Sequence, residues 1–238
     1  MKTITKTSRV ARWPWLLPAA IALLPVLAFG HNISESNASF VEQLNGPAVV
    51  PFLYLGAKHM FTGYDHVLFL IGVVFFLAKP RDVVLYVSLF TIGHSITLLA
   101  GVLAGWQVNA YLVDAVIGLS VAYKAFENMG GFDRLPLRID SRFAVMVFGL
   151  FHGLGLATRL QDLALTEEGL VTNLLSFNLG VELGQIAALA VVLLLLLRWR
   201  ASARFEIQAF AANWLLMTCG FLLTATQLAG YFVTRSGV

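Results

Sequence analysis

The chain has 238 residues, of which 58% are apolar and only 12% are charged. Soluble domains typically have about 45–50% apolar and about 25% charged residues, so this composition excludes a soluble enzyme, a disordered chain and a nucleic-acid-binding protein. The formal charge of +3 comes from the first 30 residues, which contain no acid and four basic residues, Lys2, Lys6, Arg9 and Arg12. An integral membrane protein is the class that remains.

Residues 1–30 have the layout of a secretory signal peptide: a basic start, an apolar core and the small residues Ala28 and Gly30 near its end. This pattern predicts cleavage before His31. A retained first transmembrane helix is the alternative. In both cases the polar residues 31–47 form a short extracytoplasmic segment.

The remaining residues, 48–238, contain six apolar stretches near the roughly 20 residues that a transmembrane helix needs: about 49–78, 83–105, 108–127, 143–160, 170–197 and 208–233. Basic residues follow the first, third and fifth stretches, for example Lys79, Arg138 and Arg204. The positive-inside rule places these connections in the cytoplasm and both mature termini outside. We therefore expect an all-α, polytopic bundle of six transmembrane helices in the lipid bilayer of the bacterial inner membrane.

Several ionisable side chains interrupt these apolar stretches, although such groups are expensive inside a bilayer and usually mark function. Counting about 1.5 Å per residue from the cytoplasmic edges places them in one slab, from the middle to the outer half of the membrane. We expect them to share one cavity as candidate metal ligands: His59, Asp65, His66, His94, His152 and Glu182.

His59 can share a metal site with His66 only under one condition, because it lies seven residues before His66 and thus about 10 Å away along a straight helix. The two can bind one ion only if the helix breaks, for which Gly63 is the candidate. Otherwise His59 belongs to a separate outer site.

Other polar residues share helix faces with these ligands. Four are candidates for supporting the site: Asn178, Gln185, Asp114 and Thr91. A helix cap or a pair with a tyrosine is an equally good interpretation of Asp114. Small residues spaced four apart, as at 149/153 and 180/184, predict close helix packing.

Imidazole and carboxylate donors together suit a divalent transition metal such as Ni, Co, Zn or Cu. The single cysteine, Cys219, excludes a multi-thiolate structural zinc site. The alternative is that each histidine forms its own hydrogen bond between helices.

The segment 55–70 contains the pattern H-x5-D-H at His59, Asp65 and His66, and it resembles the signature of the HupE/UreJ family of membrane proteins. Further segments resemble blocks of the second branch of this family: 90–98, 148–153 and 176–185. The likeness extends from about residue 50 to 235.

Members of this family beside hydrogenase and urease genes are regarded as nickel permeases. The resemblance thus implies a nickel/cobalt-type permease that uses the H-x5-D-H residues, with a metalloenzyme maturation system as its partner. Two alternatives remain open, an intramembrane metal-dependent hydrolase and a non-catalytic metal-handling accessory protein. The hydrolase would have an outward-open three-histidine site and catalytic groups among Glu182, Ser95 and Asp65. It is favoured by residues 67–78, which contain no polar side chain.

Overall fold

The computed structural model describes residues 46–136, 139–161 and 168–236, and all regular structure within these ranges is helical. The predicted signal peptide and nearly all of the predicted extracytoplasmic segment lie outside the described residues. The described helices, in chain order, are α1 (Val49–Thr62), α2 (Tyr64–Val74), α3 (Pro80–Leu103), α4 (Ala110–Asn128), a 3-10 turn (Gly131–Arg134), α5 (Ser141–Gln161), α6 (Leu170–Arg200) and α7 (Phe205–Ser236).

Four of these helices, α3, α5, α6 and α7, are long and apolar enough to cross a membrane. The 24 residues of α3 extend over about 36 Å, against a hydrocarbon core of about 30 Å. The prediction of an all-helical, multi-pass membrane protein is confirmed to this extent. The helices at the first and third predicted stretches are shorter or more polar, so six crossings stay a prediction.

The first predicted stretch forms two helices, because the helix is interrupted at Gly63. Its backbone has ψ 90°, which ends α1, and its N–H donates to the His59 carbonyl oxygen at 2.8 Å. Glycine is a poor helix former, so the break costs little at this position. Asp65 lies in the first turn of α2, where a carboxylate interacts favourably with the helix dipole.

Glycines allow three helix pairs to pack backbone to backbone. A Cβ atom at Gly180 of α6 would lie 2.8 Å from the carbonyl carbon of Leu53 in α1, and one at Gly149 of α5 would lie 3.1 Å from that of Phe90 in α3. Gly118 brings α4 equally close to α7. The predicted packing role of the glycines at 149 and 180 agrees with these contacts.

Helix α2 lies inside the bundle, in contact with α3, α4, α6 and α7. Several of its side chains are buried, among them Phe69, Leu70, Val73 and Val74. A short helix that is apolar on all sides is expected in such a position. It carries Asp65 and the fully buried His66 into the interior of the molecule.

The end of α2 is fixed by Arg200, at the end of α6. Its guanidinium donates to three carbonyl oxygens in and after the last turn of α2, those of Val74 (2.6 Å), Phe75 (2.6 Å) and Leu77 (2.9 Å). Carbonyl groups at a helix end have no partner within the helix itself, and here the Val74 oxygen also accepts from the Leu77 N–H at 3.1 Å. The ends of α2 and α6 therefore lie together, on the side that the charge pattern predicts to be cytoplasmic.

The beginnings of α1 and α6 meet at the opposite side. The Asn173 side chain accepts a hydrogen bond from the Ala48 N–H at 2.7 Å and donates to the Gly46 carbonyl oxygen at 3.1 Å. These contacts agree with the predicted topology, in which both segments begin outside.

Candidate metal centre

Two helices bring a carboxylate and two imidazoles together inside the bundle. Asp65 and His66 of α2 and His152 of α5 each offer a ligand atom, and these atoms lie within 4.8 Å of one another. Asp65 is 3% exposed, and both histidines are 0% exposed. Such close, buried donors of these types are what a transition-metal site requires.

Two further imidazoles contact this group. The ring centroid of His66 lies 4.8 Å from that of His152, 5.0 Å from that of His59 in α1 and 5.9 Å from that of His94 in α3. Four helices thus contribute to what we call the His/Asp cluster, which consists of His59, Asp65, His66, His94 and His152.

The break at Gly63 makes the place of His59 in this cluster possible, because a straight helix would separate it from His66 by about 10 Å. Gly63 also leaves room for the ligands. A Cβ atom there would lie 3.0 Å from His66 Nδ1 and 3.3 Å from Asp65 Oδ1.

Hydrogen bonds define which nitrogen of two of these rings carries a proton. His152 Nδ1 lies 2.7 Å from the Phe148 carbonyl oxygen, which can only accept, so Nδ1–H is the donor and Nε2 holds the lone pair. His66 Nδ1 lies 3.1 Å from Asp65 Oδ1, and donation to this carboxylate orients the ring in the same way. Such backbone and carboxylate partners are typical of metal-binding histidines.

His94 supplies the strongest sign of a ligand. It is 1% exposed, and within the described part of the chain neither of its ring nitrogens has a hydrogen-bond partner. His152 Nε2 is buried and without such a partner in the same residues. Buried polar atoms are costly when they bond to nothing. A shared cation would offset that cost.

Three phenylalanines lie one helical turn from the histidines, on the side predicted to be cytoplasmic. Phe69 follows His66, while Phe90 and Phe148 precede the histidines of α3 and α5. The centroid of Phe69 lies 5.3 Å from that of Phe90 and 5.9 Å from that of Phe148. This aromatic floor, made of Phe69, Phe90 and Phe148, places apolar rings beside the cluster on that predicted cytoplasmic side.

Three of the four predicted supporting residues, together with Ser95, form hydrogen bonds that connect α3 to α6. Ser95 Oγ donates to Asn178 Oδ1 at 3.0 Å, and Thr91 Oγ1 donates to Gln185 Oε1 at 3.4 Å. We call these two hydrogen bonds the α3–α6 bridges. They hold together two helices that belong to different close-packed pairs.

Glu182, predicted as a metal ligand, lies in a different place. It is half-buried and lines a groove of about 440 Å³ between α3 and α6, together with Thr91 and Gln185. No histidine of the cluster lines this groove. The physical reason is the rotation of α6, which turns the face that carries Glu182 towards the groove.

Asp114, also predicted as a supporting residue, forms an ion pair with Arg159 near the end of α5 that the charge pattern predicts to face outside. The sequence predicts a supporting role, a helix cap or a pair with a tyrosine for Asp114, whereas the structure pairs it with Arg159. The available signal was the presence of an arginine within the fourth apolar stretch, where a charge requires a partner.

Apolar helices around a buried group of histidines and a carboxylate define the class of this molecule, a multi-pass membrane protein with a candidate transition-metal site. Residues 35–235 match the family described as HupE / UreJ protein. The chain therefore belongs to the HupE/UreJ family, as the H-x5-D-H segment predicts. No curated protein and no solved structure matches it.

Proposed function

We propose that this protein is a permease that moves a divalent transition-metal ion, nickel or cobalt, across the bacterial cytoplasmic membrane. The observation that carries the proposal is the group Asp65, His66 and His152, whose ligand atoms lie within 4.8 Å of one another in the bundle interior. His59 and His94 add two more imidazoles beside it. This set of nitrogen and oxygen donors suits ions of the nickel and cobalt type, and membership of the HupE/UreJ family agrees with metal handling.

The contacts around the cluster suggest a path. On the outer side, two turns beyond His152 in α5, lies the Asp114–Arg159 ion pair. On the inner side, beyond the aromatic floor, Lys124 Nζ and Glu127 Oε2 each lie 3.1 Å from Ser141 Oγ. Polar groups thus flank the cluster on both sides, and the aromatic floor is the apolar barrier between the cluster and the inner group.

Release of the metal ion to the cytoplasm requires the aromatic floor to open. The α3–α6 bridges are the contacts that such a movement would break, because α3 packs closely on α5 while α6 packs closely on α1. The two close pairs would move as units, with the cluster between them.

An intramembrane metal-dependent hydrolase is the second candidate, and the closed aromatic floor favours it, since such an enzyme needs access from the outer side only. A metal held by histidines would supply an activated water. Among the groups predicted to be catalytic, Asp65 lies at the cluster. Ser95 is engaged with Asn178, and Glu182 lines the groove. We therefore place the permease first.

Metal content of the purified full-length protein tests the shared site. After exposure to nickel and removal of unbound ion, we expect the wild type to retain the metal and His66→Ala and His152→Ala to lose most of it. His31→Ala is the matched control, because it makes the same substitution at a histidine that is not one of the five cluster residues. Equal nickel content in the wild type and both cluster variants would overturn the proposal.

Uptake into sealed proteoliposomes then tests transport. We expect radioactive nickel to accumulate with the wild type and the His31→Ala control, and not with His66→Ala. Retained metal without any uptake would contradict the permease and put the hydrolase first.

A further inference from the structure

The ion pair between Asp114 of α4 and Arg159 of α5 lies on the outer side of the His/Asp cluster. The Asp114 side chain is 2% exposed, and that of Arg159 is 18% exposed. Arg159 follows His152 by seven residues, so it lies on the same face of α5, about 10 Å nearer the predicted outer end. An ion that enters from outside along this face would meet the pair before it meets the cluster.

The pair also acts electrostatically on the cluster. Arg159 lies two helical turns from His152 on the same face of α5, about 10 Å along the helix axis, and Asp114 is paired with it, so both charges lie near the cluster. In an interior of low dielectric such interactions are stronger than in water. A divalent cation at the cluster would therefore be attracted by Asp114 and repelled by Arg159.

Asp114 has an oxygen that the ion pair does not use. Its Oδ2 accepts from Arg159, whereas Oδ1 is buried and has no hydrogen-bond partner within the described ranges. Gly155 of α5 lies beside Oδ1 and has no side chain to donate to it: a Cβ atom there would touch Oδ1 at 3.4 Å, an ordinary van der Waals distance. A buried carboxylate oxygen without a partner is costly, and a cation is the ligand that it fits.

We propose that Arg159 is a tethered counter-cation, which neutralises Asp114 in the metal-free protein and is displaced by an incoming divalent cation. Asp114 is then an outer binding site from which the metal passes to the cluster. Arg159 is two residues from the end of α5, and its long side chain can extend towards the outer surface when it leaves Asp114. This inference rests on the proposed metal-binding function of the cluster.

A purely structural ion pair between α4 and α5 would behave differently. Removal of Arg159 would then weaken the fold, and any gain in nickel affinity would come from the lost repulsion at the cluster and would be the same with Asp or Asn at position 114. A counter-cation instead competes with the metal for Asp114, so Arg159→Met must tighten nickel binding more when Asp114 is present than in the Asp114→Asn variant.

Titration calorimetry with nickel chloride on the purified full-length protein distinguishes these cases. We expect Arg159→Met to bind nickel about 10-fold more tightly than the wild type, because the competing charge is gone while both carboxylates remain. Asp114→Asn should bind about 10-fold more weakly, since the guanidinium stays and the Asp114 carboxylate is lost. Arg159→Lys, the matched control, keeps the positive charge and should stay close to the wild type.

Nickel affinity of Arg159→Met equal to or weaker than that of the wild type would overturn the inference. If Arg159→Met does not fold, Arg159→Gln takes its place, because it removes the charge and keeps a hydrogen-bond donor for Asp114. Removal of the guanidinium should tighten binding more when Asp114 is present than in the Asp114→Asn variant, and an equal gain in both would overturn the inference. Absence of nickel binding in the wild type would instead overturn the proposed function.

Discussion

His59 and His66 lie seven residues apart in the sequence, yet their ring centroids are only 5.0 Å apart. A continuous helix would hold them about 10 Å apart along its axis. The difference comes from Gly63, at which α1 ends and α2 begins. The H-x5-D-H spacing therefore depends on an interrupted helix to bring both histidines to one site.

Substitution of Gly63 by alanine tests this dependence. Alanine tolerates the φ of −75° at this position, but its Cβ would crowd His66 Nδ1 at 3.0 Å and Asp65 Oδ1 at 3.3 Å. We expect a folded protein whose nickel affinity is about 10-fold lower, which is typical of a disturbed ligand environment. Calorimetry with nickel measures the change.

Gly72→Ala is the matched control for this experiment. Its Cβ would meet Lys124 Cβ at 3.1 Å and a methyl group of Leu216 at 3.3 Å, so it crowds α2 to a similar degree away from the cluster. An equal loss of nickel affinity in both variants would show that α2 packing, and not the ligand environment, causes the effect.

Nickel itself should stabilise the fold. At a free concentration 100 times its dissociation constant, the metal adds about 2.7 kcal/mol to the free energy of unfolding if it binds the native state alone. We expect thermal unfolding in detergent to shift upward with nickel in the wild type and not in His152→Ala. Magnesium is the control ion, because it prefers oxygen ligands, and an equal shift with magnesium would contradict a nitrogen-rich site.

The aromatic floor should limit the rate of transport. Phe69 is fully buried between Phe90 and Phe148, so Phe69→Leu should lower the barrier that this packing creates. A reduction of about 1 kcal/mol raises the rate about fivefold. We expect faster initial nickel uptake in proteoliposomes, and an unchanged rate in Phe221→Leu, the same change at a position that is 52% exposed. A slower rate in Phe69→Leu alone would place the barrier elsewhere.

The common location of the histidines could be predicted from the sequence, because depth in a bilayer follows from counting residues along each helix. His66, His94 and His152 lie at similar distances from their basic cytoplasmic edges, and the structure brings their rings together. The length of the apolar stretches and the scarcity of charged residues in them also sufficed to predict an all-helical, multi-pass architecture.

The rotation of each helix about its own axis could not be obtained in this way. Glu182 has the depth of a ligand, but the packing of α6 turns it to the groove beside Thr91. The sequence also does not show which residue pairs with Asp114, because Arg159 is 45 residues away and meets it only when α4 packs on α5. Depth is one-dimensional information, whereas contact between side chains needs the tertiary packing.

The hydrogen bonds that Arg200 forms between the ends of α6 and α2 lead to a last prediction, which concerns the stability of the fold. Arg200 donates to three carbonyl oxygens at the end of α2, two of them at 2.6 Å. Arg200→Ala removes the side-chain donor of all three acceptors and should lower the free energy of unfolding by about 1–3 kcal/mol. Arg200→Lys should recover only part of this loss, because an ammonium group cannot reproduce the fork of the guanidinium.

Chemical unfolding in detergent, followed by circular dichroism, measures these differences. Arg198→Ala is the matched control: it removes the same charge from the same helix end, at an exposed residue, and should change stability by less than about 0.5 kcal/mol. Equal losses in Arg198→Ala and Arg200→Ala would mean that positive charge at this end of α6 is sufficient. A loss confined to Arg200 would mean that the hydrogen bonds to α2 hold this helix, and with it Asp65 and His66, in place.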